Sequence, residues 1–400
     1  MELGYAPPAQ FRTALDQLHE IVAAEVGLKN EPGDFGPDDY LPGLTVLLQG
    51  MDYDPRFTEL GRKVAWGEVV SVLRGRAQAY KSMRENPGFD AHPVVSPVVI
   101  TGVPRTGTTA LHRLMAVDPR FQGLQTWLLD SPMPRPPLDT WGRYPEFRKS
   151  VARLEARYAA APQKRAAHNV VAEEVHECCM LLRQAFVSNI LSCMHSSATY
   201  DAWWQDQSEA NAYRHYLKCV QLIGSSEPEK RWLLKNPGHI ETLDLLFAVF
   251  PDAKVIQTHR DPAQAVPSLV SLLMQLHGKM EEGRYEQRAH IMLRREVAKW
   301  ASAVGKCDKV RESHPGQVLD VAHLEFHGDP VGVLEKIYRF IGWDIPDETR
   351  RGFAGRIEEK PELQFGQHRY SIADFGMTEA EVRAPFGDYV QRFDLVENKR

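Results

Sequence analysis

The stretch 96–117, SPVVITGVPRTGTTALHRLMAV, constrains the fold more than any other part of the chain. A β-branched apolar run passes through a turn carrying Gly102 and Gly107 into a segment with helical spacing, which Asp118-Pro119 stops. Strand, glycine turn and helix in that order make an anion-binding device. Backbone N–H groups converge on the ligand, and the helix dipole adds positive potential. The two glycines stand where a nucleotide phosphate loop, G-x-x-x-x-G-K-[ST], places its own. The lysine of that loop is absent. Thr108 occupies its position, and the nearest cation, Arg105, lies inside the turn.

Three more short apolar runs follow, RWLLKN (231–236), AKVIQTHR (253–260) and GQVLDVAHL (316–324), each separated by helical stretches. Such alternation predicts crossover units and an α/β fold: a phosphate-loop-like parallel sheet flanked by helices. Before the first run the pattern is helical, at 11–26 and again at about 58–84, with a Pro/Gly-rich loop between. We therefore expect a helical N-terminal extension over residues 1–92 and the α/β domain over 93–400. The net charge of −5 leaves no basic surface for general nucleic-acid binding. A polyanionic ligand must be held by locally placed cations. The five cysteines show no C-x-x-C pair and read as reduced thiols of a cytoplasmic protein, with no zinc or other metal constellation. The N-terminus MELGYAPPAQ lacks the marks of a signal peptide. The most apolar stretch, 178–194, is broken by Arg183, Gln184 and Asn189, so no transmembrane segment is expected.

A second strand–turn–helix unit, THRDPAQAVPSLVSL (258–272), sets Arg260 and Ser268 eight residues apart. With Pro104-Arg105-Thr106-Gly107-Thr108-Thr109, it makes the chain resemble the sulfotransferases that use 3′-phosphoadenosine-5′-phosphosulfate (PAPS), most closely their bacterial branch. The resemblance runs from about residue 96 to the C-terminus. It implies that Arg105, Thr106, Gly107, Thr108 and Thr109 hold the 5′-phosphosulfate, that Arg260 and Ser268 hold the 3′-phosphate, and that no metal takes part. Lys235, at the end of the second run, matches a family lysine beside the bridging oxygen. Its charge would neutralise the departing phosphate. His368, Arg369 and Tyr370 resemble a segment that closes over the donor in bacterial relatives.

Animal members of the family carry a base histidine two residues beyond the lysine; here that position is Pro237. His239 is not given the role. Read as a helix, 168–186 places Glu174 and His176 at the borders of an apolar face, where a partly desolvated group gains basicity. Glu174 is the first candidate base and His176 the second. The expected function is transfer of a sulfonate to a hydroxyl of a small-molecule or lipid-like acceptor. Aromatic residues near 186–204, Trp203 and Trp204 among them, hint at a greasy or ring-bearing alcohol. A divergent nucleotide kinase and a non-catalytic nucleotide-binding protein remain alternatives, and a homo-oligomer is compatible with the sequence.

Overall fold

The computed structural model describes residues 4–160, 162, 165, 169–359 and 372–396. The first apolar run forms β1 (Val98–Gly102), fully buried along its length. The other three runs form β3 (Arg231–Lys235), β4 (Lys254–His259) and β5 (Val318–Ala322), and a short β2 (Phe121–Gln122) adds an edge. All pairings are parallel, in the order β2-β3-β1-β4-β5. Alternate residues of the sheet face different clusters. Val99, Leu234 and Val255 enter one, while Val98, Ile100, Leu233 and Ile256 enter the other. Helices thus cover both faces, as continuous apolar strands require.

The topology places the site. From β1 the chain runs to the β2 edge, returns to β3 on one side of β1, and then crosses to β4 on the other. The carboxyl ends of β3, β1 and β4 therefore lie side by side where the strand order reverses, the crevice in which open α/β sheets bind ligands. In register, Ile100 pairs with Lys235 and Gly102 with Thr258. The glycine loop, the lysine and the arginine turn come to one edge of the sheet.

Three N-terminal helices precede the sheet: α1 (Leu15–Val26), α2 (Leu41–Tyr53) and α3 (Glu59–Glu85). Of these, α2 was not expected. It begins inside the Pro/Gly-rich stretch, where Pro42 occupies the first turn, a position whose missing N–H costs the helix nothing. Their apolar faces form a cluster that also takes in Phe186, Val187, Leu191, Tyr200, Trp204 and Met280. Later come α4 (Thr108–Met115), α5 (Thr126–Asp130) and α6 (Pro145–Ala160). All five cysteines are buried free thiols. Among the described residues no helix is long and apolar enough to cross a membrane.

The expected helix over 168–186 does not form. Among its described residues only Cys179–Leu182 and a 3₁₀ turn at Arg183–Ala185 are helical. Residues 172–178 pair with distant backbone instead, with Val175 bridged antiparallel to Gln125. Thr126 N–H donates to the Glu174 carbonyl, His176 N–H to Leu124 O, and Cys178 N–H to Lys235 O. The backbone groups that a helix would need are bonded to distant partners, so tertiary pairing overrides the local pattern.

Candidate active site

The donor end is built from two turns that touch. In the first, Arg105 and Gly107 have φ of +71° and +93°, and α4 begins at Thr108. Gly102, at φ +141°, lets β1 approach β4: a Cβ there would lie 2.4 Å from Thr258 O. Thr106 turns inward. Its hydroxyl donates to Val103 O at 2.7 Å and lies 2.5 Å from Thr258 Oγ1, so only its backbone can serve a ligand. Arg105 Nε donates to Ser268 Oγ at 3.2 Å, and Arg260 Nη1 donates to the Arg105 carbonyl at 3.1 Å. Two motifs 150 residues apart in sequence thus close on each other.

The chemistry of this cradle suits an anionic ligand. Among the described residues, Arg260 Nε and His323 Nδ1 are buried without a hydrogen-bond partner. His323 follows β5 and was missed in the sequence, where nothing marks a lone histidine after a strand. Burial, then the charges of Arg260 and His327, push its pKa down to about 3, so it meets a ligand as a neutral group. Asp261, beside Arg260, is turned away from the cradle. It caps the helix Pro262–His277 through Ala263 N–H at 2.9 Å and binds Arg383 at 2.5 Å. His368, Arg369 and Tyr370 lie outside the described residues.

At the end of β3, Lys235 is 1 % exposed. Its Nζ donates to Thr109 Oγ1 at 3.1 Å, at the start of α4, and to Glu177 Oε1 at 2.5 Å. The two expected bases are placed differently from each other. Glu174 pairs with Arg113 at 2.9 Å and Arg356 at 3.4 Å, and it does not line the cavity described below. His176 does line it, and its Nδ1 accepts the Glu177 backbone N–H at 2.7 Å. His239 is fully buried against Tyr213, with its pKa pushed to about 3 by burial.

From the donor end opens a cavity of about 600 Å³. Its inner wall includes Ala65 of α3, Leu129, Met180, Met194, Leu273 and Trp300; Arg153, Arg157 and Arg183 also line it. Trp203 and Trp204 do not. Trp204 packs in the N-terminal cluster with its Nε1 on Glu209, so these rings belong to the core and not to an acceptor wall.

The sequence profile of the sulfotransferase family matches residues 97–347. Among solved structures the chain is similar to sulfotransferase STF1 from Mycobacterium tuberculosis H37Rv, at 32% identity and a TM-score of 0.83, over 93% of this chain and 98% of that one. It also shares the fold of sulfotransferase STF9 from Mycobacterium avium, at 23% identity and a TM-score of 0.85, over 96% and 98% of the two chains. By sequence it is 26% identical over 255 residues to the omega-hydroxy-beta-dihydromenaquinone-9 sulfotransferase Stf3 of Mycobacterium tuberculosis (strain CDC 1551 / Oshkosh). That match covers 62% of this chain and 62% of the relative's length.

Proposed function

The chain belongs to the sulfotransferase family, and on that premise we propose that it moves a sulfonate from PAPS to the hydroxyl of an acceptor with a sizeable apolar body, by in-line displacement. One observation carries the reading. Arg105, joined to Ser268 and Arg260, lines one cavity together with Ala65, Leu129, Met180, Leu273 and Trp300, and Lys235 reaches that cavity through Thr109.

PAPS supplies an activated sulfonate and a separate 3′-phosphate; the chain supplies the rest. The N–H groups at the start of α4, with Thr108, Thr109 and Arg105, hold the 5′-phosphosulfate by charge-assisted contacts. Arg260 and Ser268 hold the 3′-phosphate, with His368, Arg369 and Tyr370 as further donors from the C-terminal segment. Lys235 neutralises charge on the departing phosphate, where a preplaced cation in a dry site acts most strongly. The N-terminal helical segment forms one wall of the acceptor chamber through α3. A lipid-like alcohol suits that chamber, and a relative named for an omega-hydroxylated menaquinone supports this class.

The test is turnover with sulfur-labelled PAPS and a panel of long-chain and prenyl alcohols in the presence of a chelator. A labelled sulfate ester is expected, with no consumption of ATP. Magnesium-dependent loss of ATP would favour the kinase. Tight binding of adenosine 3′,5′-bisphosphate without transfer to any alcohol would favour a non-catalytic binder.

A further inference from the structure

Neither residue selected from the sequence is suited to take an acceptor proton. Glu174 is held by two arginines away from the cavity. His176 accepts a backbone N–H at Nδ1, which puts the proton of its neutral ring on Nε2 and makes that nitrogen a donor. Glu177 stands between these placements. It lines the cavity, and its carboxylate touches the lysine at the transfer point.

We infer that Glu177 is the base that takes the acceptor's proton, and that Lys235 masks it until the donor's charge draws the lysine toward Thr109. This rests on the sulfonate-transfer reading above. The groups facing Glu177 and Lys235 allow such an exchange. From α4 come His112, held neutral by burial with its pKa near 3, and Arg113, which is paired with Glu174. From the turn after Glu177 come the thiols of Cys178 and Cys179, which burial keeps protonated, and Arg183, which is paired with Glu68. Among the described residues named here, Lys235 is the cation whose partner changes when an anion arrives beside Thr109. In the transfer step the acceptor O–H proton passes to the Glu177 carboxylate as its oxygen forms the new S–O bond. The old S–O bond breaks with its electron pair going to the departing phosphate, which Lys235 neutralises. Glu177 then returns its proton to solvent.

Losing a cation and gaining an anionic neighbour both raise a carboxylate's affinity for a proton. Binding of adenosine 3′,5′-bisphosphate should thus be accompanied by proton uptake at Glu177. Calorimetric titration of that nucleotide near pH 6, in buffers of different ionisation enthalpy, reads this directly. The ligand's own phosphates titrate too, so the quantity that matters is the difference from Glu177→Gln. Wild type should take up more protons than Glu177→Gln, and Glu177→Asp, which keeps the carboxylate, should resemble wild type. In turnover, Glu177→Gln should lose about 10²- to 10⁴-fold with nucleotide affinity nearly kept. Equal proton uptake in wild type and Glu177→Gln overturns the inference. So does sustained turnover in Glu177→Gln while Glu174→Gln is inactive. If wild type transfers no sulfonate at all, the functional reading fails, and the proton count still decides whether donor binding unmasks Glu177.

Discussion

The donor end and the acceptor chamber share one cavity but are assembled in opposite ways. The donor end comes from two short contiguous stretches, 102–109 and 258–268, which sheet register brings together at the carboxyl ends of β1 and β4. The chamber draws on α3, α5, α6, the segment 176–195, the helix after β4 and the helix Tyr285–Glu312, with several residues from each. Anion recognition needs backbone N–H groups in a fixed local geometry, so it leaves a compact trace in the sequence. An apolar chamber needs only volume and surface, which many residues supply interchangeably.

If the two ends are separable, substitutions should divide cleanly between them. The largest effect is expected at the junction. Lys235→Met should lower kcat by about 10²- to 10³-fold, the typical cost of removing one preplaced charge donor. Nucleotide affinity should change far less, as titration of adenosine 3′,5′-bisphosphate will read. At the donor end, Arg260→Ala should weaken that nucleotide about ten- to a hundredfold, the worth of a charge-assisted contact of about 1.5–3 kcal/mol. Adenosine 5′-phosphate, lacking the 3′-phosphate, should be nearly unaffected. Equal losses for both ligands would remove Arg260 from the 3′-phosphate.

On the acceptor side, Met180→Ala should raise KM for an apolar alcohol about tenfold, as lost apolar contact in a pocket of this kind does, with nucleotide affinity unchanged. A parallel loss of nucleotide affinity would mean that the ends are coupled. The smallest effect concerns the core behind the chamber. Glu209 is buried and accepts the Trp204 indole N–H, and burial raises its pKa to about 8. A carboxyl with a raised folded pKa binds its proton more tightly when folded, so stability falls as pH rises from its unfolded value near 4.5 through about 8. Thermal unfolding of Glu209→Gln should lose that slope by a few degrees, with nucleotide affinity unchanged.

The asymmetry also explains what was legible. The strands around 98–102, 231–235, 254–259 and 318–322 declare themselves as β-branched runs, and Arg105, Arg260 and Ser268 by fixed spacing from glycine or from a turn. Glu177 carries no such mark. It is three residues from Glu174, and which carboxylate faces the cavity is decided by hydrogen bonds from His176 to Leu124 and from Cys178 to Lys235. These pair residues about 50 positions apart, beyond any helical phase. The local pattern favoured a helix, and tertiary pairing replaced it with an irregular segment bonded to Leu124 and Lys235. The N-terminal wall was hidden for a similar reason: Ala65 lies on an ordinary amphipathic helix until α3 meets the chamber.

The claim that two touching turns read a doubly phosphorylated nucleotide is tested most directly by a crystal structure with adenosine 3′,5′-bisphosphate. We expect the 5′-phosphate over the start of α4 beside Arg105 and Thr109, the 3′-phosphate on Arg260 and Ser268, and Lys235 Nζ moved off Glu177. A nucleotide bound with its 3′-phosphate away from Arg260, or with Lys235 still seated on Glu177, would contradict it.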